Sequence, residues 1–185
     1  MNARCWVVAV TLGLVTALDA GAMTVDQAYA QLKHRRTVFD AGKTRASKEQ
    51  VESLRRIFSY AELGTILKVR AYNAHYQGDR AAYAAVLRDY DSLVEITKRQ
   101  APPADVKQVH DLVAGAIAEQ RAVLVSSAAK PKEALSRASL AREPEVQKVH
   151  RDLIQAYNVL LAKFPKEPQV NRDAFYDYLC ALDFL

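Results

Sequence analysis

Apolar residues recur along this chain at intervals of three and four, and no run alternates with the period of two that a half-buried strand requires. The pattern predicts an all-α protein. From a capping Thr24, the residues Val25, Ala28, Tyr29, Leu32 and Phe39 share one face of a helix expected to reach about Asp40, with Gly42 beyond its end. Ser47 followed by Gln50 reads as a capping box that opens a long helix continuing to Tyr76 and stopping at Gly78. Asp79 caps the next, whose stripe of Tyr83, Val86, Leu87, Tyr90, Leu93 and Val94 is the cleanest in the chain; Pro102 and Pro103 break it.

A fourth helix from about Ala104 to Val125 turns Val106, Val109, Val113, Ala116, Ile117 and Leu124 inward. Ser126 to Lys130 is a loop, Pro131 starts a short helix to about Arg142, and Pro144 starts a long one ended by Pro165 and Pro168. Asn171 is the expected cap of a terminal helix, Arg172 to Asp183, that is apolar nearly all round and therefore expected in the core or against a partner. Short connections favour antiparallel neighbours. The expected architecture is an antiparallel helical bundle, or stacked helical hairpins, of five to six helices. The V-x-x-V-H echo at Val106–His110 and Val146–His150 fades after the His and reads as two similar helix starts.

The first 22 residues are set apart from this fold. Arg4 precedes an apolar run from Cys5 to Leu18, and Ala20-Gly21-Ala22 has the A-x-A form of a cleavage site. The run is shorter than the roughly 20 residues a helix needs to span a bilayer. The reading is a signal peptide over 1–22, a single all-helical domain over 23–185, no transmembrane span after cleavage, and a periplasmic or secreted location. Cys180 is then the sole cysteine, among Phe175, Tyr178, Leu179 and Leu182, expected to be buried or to pair with another chain in a homodimer.

Charge adds a direction. Ten Lys or Arg stand against five acids between Met23 and Arg70, while the remainder is balanced. A basic face built from Lys33, Arg35, Arg36, Arg55 and Arg56 would attract an envelope protein or an anionic envelope component. Nucleic acid is not expected, because no aromatic residues interleave with these bases and an exported protein rarely meets it.

Candidate chemistry is sparse. Gly42, Gly64, Gly78 and Gly115 are isolated, so there is no phosphate loop, and no Gly-x-Ser-x-Gly elbow or cysteine with an evident base occurs. The expectation is a protein that is not an enzyme and carries no cofactor, acting by binding. The alternative is a metal- or haem-binding bundle using the inward-facing His75, His110 and His150, with His75 and His110 adjacent across the intervening hairpin. His-x-x-x-His, Glu-x-x-His and Cys-x-x-Cys-His spacings are all missing.

Overall fold

The computed structural model describes Ala30 and residues 36–184; the leader expected over 1–22 lies outside these, as do Lys33, His34 and Arg35. The described residues are helical with no strand. The helices are α1 (Lys48–Gln77), α2 (Arg80–Arg99), α3 (Ala104–Ser127), the four-residue α4 (Arg137–Leu140), α5 (Pro144–Lys163) and α6 (Gln169–Leu182). A 3₁₀ turn, Lys132–Leu135, precedes α4.

Local chemistry explains most boundaries. The Ser47 hydroxyl accepts from the Gln50 amide while the Gln50 side chain accepts from the Ser47 amide, which satisfies two orphan donors at the start of α1. Gly78 ends α1 at φ 72°, a left-handed conformation natural to glycine, and the Asp79 carboxylate then accepts from the Ala82 amide to start α2. Pro144 occupies the first turn of α5, where its missing N–H costs nothing.

The long helices alternate in direction. Arg70 meets Asp89 and Arg56 meets Gln100, so α1 and α2 are antiparallel. Arg121 against Asp91 and Tyr83 against Leu124 do the same for α2 and α3. In contrast, Gln50 bonds Asp105 while Gly64 lies beside Ile117 and Gln120, so α1 and α3 run parallel. The α3–α5 pair makes the most extensive contact, and α6 returns along α1, with Phe175 on Phe58 and Ala181 at Lys68. Thus α1, α3, α5 and α6 close a ring around the core while α2 lies against α1 and α3.

Leu54, Ile57, Tyr90, Ile117, Leu124, Leu160, Phe175 and Leu182 are all fully buried. Each contributes about 1.5–3 kcal/mol of hydrophobic stabilisation.

The structure corrects three expectations. Residues 37–40 are not helical: the Thr37 amide donates to Asp177 Oδ2 (2.7 Å) and the Asp40 amide to Asn171 Oδ1 (2.8 Å), so side chains of α6 replace helical acceptors. Asn171 is accordingly no cap; it is buried within the first turn of a helix that already begins at Gln169. The segment after Pro131 divides into the 3₁₀ turn and α4 because Ser136, extended at ψ 149°, interrupts it.

Candidate functional site

Buried polar groups concentrate where α6 ends. Lys68, in the middle of α1 and 7% exposed, donates from Nζ to the carbonyl oxygens of Ala181 (2.8 Å), Leu182 (3.1 Å) and Asp183. These are acceptors that a helix leaves without intrahelical partners, at the negative end of its dipole. The Gln120 side chain donates to the Leu182 carbonyl as well, and Tyr90 Oη donates to the Gly64 carbonyl at 2.9 Å. His150 Nδ1 lies 2.5 Å from Asp183 Oδ2. Burial pushes the Lys68 ammonium down to about 8, against the opposing pull of Asp183. Burial likewise drives the Tyr72 and Tyr90 phenols far up and Tyr83 to about 12. Lys68 reaches across from α1 to donate to the carbonyls at the end of α6 and is enclosed by Phe184, 5.8 Å from its ring centre, so its amine holds that helix end in place.

A second polar centre ties the segment ahead of α1 to the α5–α6 turn. Glu167, 6% exposed, accepts from the Thr44 hydroxyl (2.5 Å), the Arg45 amide (3.1 Å) and the Asn171 side chain (2.7 Å). Phe39 inserts beside it against Phe58 and Phe175, at ring separations of 5.6 and 5.9 Å.

The basic residues separate under this geometry. Arg36 does not lie on an open face: its side chain is 6% exposed, with the guanidinium 5.1 Å from the Tyr178 ring centre and 4.0 Å from Glu62. Arg56 is exposed and paired with Glu52, and Arg55 is exposed without an ion pair among the described residues. The bond from Arg45 to Glu167 brings the N-terminal bases beside Lys163 and Lys166, both exposed. Arg45, Lys48, Lys163 and Lys166, all exposed, therefore stand at one end of the bundle, where the Glu167 carboxylate is buried. Sequence reading overlooked Lys163 and Lys166 because more than a hundred residues separate them from Arg45; the available signal was a pair of lysines flanking the Pro165 turn.

The three inward histidines stand apart. His75 Nε2 lies 3.2 Å from the Pro131 carbonyl and its ring meets Tyr83. His110 meets Tyr60, fifteen residues before His75 on α1, or about 22 Å along the helix. The expected adjacency of His75 and His110 fails because α1 and α3 are parallel. His150 is engaged by Asp183, and among the described residues no group of three or more His, Cys, Asp or Glu is arranged to hold a metal ion.

Cys180 is half-buried, and burial pushes its thiol up. A surface groove of about 500 Å³ between α3 and α5 is walled by Lys107 with Asp111 and by Lys148 with Asp152. Each lysine is paired with the carboxylate four residues on, so the walls neutralise themselves. No helix among the described residues is long and apolar enough to cross a membrane. Comparison with family models, with curated proteins and with solved structures finds no match to this chain.

Proposed function

We propose that this chain is an exported, non-enzymatic helical protein that binds an anionic component of the envelope through the cationic end of its bundle. Export rests on the basic start, apolar run and A-x-A site of residues 1–22. The observation that carries the binding reading is the gathering of Arg45, Lys48, Lys163 and Lys166 around an inward-turned Glu167. Arg55 extends the positive surface along α1, two turns beyond Lys48 on the same face. Three nearby acids are engaged by cations, Asp40 with Lys43 at 3.1 Å, Glu52 with Arg56 and Glu95 with Lys98 at 3.1 Å, while Glu49 beside Lys48 is exposed. Near an anionic surface each unpaired Lys or Arg contributes about 1 kcal/mol, screened over about 10 Å at moderate salt.

The test uses the full chain, tagged at its C-terminus and followed through cell fractionation. Reversing Arg45, Lys48, Lys163 and Lys166 to Glu is expected to release the protein from the envelope fraction at low salt. Reversing the exposed Arg80, Arg88, Arg142 and Arg151, toward the opposite end, is expected to leave it bound. Equal retention of both variants would overturn the assignment of this surface, and a cytoplasmic location would overturn export.

A further inference from the structure

We propose that a small cavity between α1, the α2–α3 connection and α3 is the seat of one bound water, which donates a hydrogen bond to His110 Nε2. The cavity is lined by Ser53, Arg56, Ile57, Tyr60, Gln100, Pro102 and His110, with the Arg56 guanidinium engaged by Glu52 and Gln100, and its volume of about 10 Å³ matches the smallest space that holds a single water.

The chemistry of the lining specifies the same ligand. His110 Nδ1 lies 3.2 Å from Asp111 Oδ1, and the Lys107 bond holds the Asp111 carboxyl below its ordinary value, so near neutral pH that oxygen only accepts. Nδ1 therefore carries the proton, and in neutral His110 the lone pair is on Nε2. That atom is buried and has no hydrogen-bond partner within the protein. Its need is for a donor. Ser59 and Thr65 send their hydroxyls back to the carbonyls of Arg55 and Ala61, whereas no such bond engages Ser53. A water can donate to Nε2 and accept from the Ser53 hydroxyl, which an ion or an apolar group cannot do. Held this way it joins α1 to α3 just where the Gln100–Pro103 connection enters the bundle.

A high-resolution crystal structure of the unmodified protein tests the siting, and NMR of the ¹⁵N-labelled protein tests it in solution. The expected result is a density peak within hydrogen-bond distance of both Nε2 and Ser53 Oγ. In solution, Nε2 should resonate as an unprotonated nitrogen and the His110 Hε1 should show a cross-peak to a long-lived water. Density showing Nε2 bonded directly to Tyr60 Oη or Ser53 Oγ would overturn the proposal, as would a protonated Nε2 in neutral His110 or the absence of the water cross-peak.

Discussion

Replacing Lys68 by Met and following stability across the alkaline range separates two effects that oppose one another at the end of α6. Attraction to three carbonyls and to Asp183 favours the ammonium; removing it from water disfavours it. Charged hydrogen bonds contribute about 1.5–3 kcal/mol each way of counting, whereas stripping an ion of water costs several kcal/mol even after relaxation. Burial prevails, and the group falls from 10.5 to about 8. At about 1.4 kcal/mol for each tenfold, burying the charged form costs about 3 kcal/mol relative to the neutral amine. Between the two values the unfolded chain holds a proton that the folded chain has released, so this contribution to stability rises with pH. About 2 kcal/mol of the rise falls between about pH 7 and about pH 9.5. Above about pH 10 the raised Tyr72, Tyr83 and Tyr90 act with the opposite sign, because the unfolded chain then loses phenolic protons that the folded chain keeps. Urea unfolding of wild type and Lys68→Met at a series of pH values cancels these shared titrations. The stability difference between the two proteins should shift in favour of wild type by about 2 kcal/mol over that window. A difference that stays flat or moves the other way would refute the reasoning and mean that the helix-end carbonyls offset the full cost of burial.

Other substitutions address packing and the N-terminal tie. At Gly64 a Cβ would lie 2.6 Å from Leu182 Cδ1, and Leu182 is fully buried. Overpacking of about 1–3 kcal/mol exceeds the helix gain of about 1, so Gly64→Ala should lower the melting temperature. Gly115→Ala meets nothing within 4 Å and should raise it, by about 1 kcal/mol of stability; the reverse order in thermal melts would contradict the packing described. Glu167→Ala strips acceptors from Thr44, Arg45 and Asn171 and should cost about 3 kcal/mol, with faster hydrogen exchange at the Arg45 amide. Gly78→Ala, at φ 72°, should cost about 1 kcal/mol by equilibrium unfolding.

The elements visible in the sequence are those whose causes are local. A capping box at Ser47, a left-handed glycine at 78, an aspartate cap at 79 and a proline at 144 each act within four residues, and each stands where the pattern placed it. Residues 37–40 were misread because the Thr37 and Asp40 amides are satisfied by Asp177 and Asn171, partners more than 120 residues away. Phe39 has the spacing of a helix face, yet it is buried by an extended segment laid across α1 and α6. Hydrophobic period identifies which side chain seeks the core; it does not state which backbone carries it there.

The same limit governs the candidate site. Counting along an alternating bundle already places His110 and His150 at opposite ends of an antiparallel pair, and it also requires the first and third helices to run parallel, which separates His75 from His110. What counting cannot supply is the acceptor each buried polar group meets. Lys68 takes the end of α6, Tyr83 the Leu124 carbonyl, Tyr90 the Gly64 carbonyl and His75 the Pro131 carbonyl. A bundle of helices offers few free side-chain partners inside but many backbone oxygens near helix ends and small residues, so its inward polar side chains are drawn there. Groups so engaged hold helices in place, and on the binding reading proposed above recognition falls to charges that the fold leaves in water. The cationic end is such a place because one inward carboxylate, Glu167, draws together two basic segments from opposite ends of the chain while keeping its own charge off the surface.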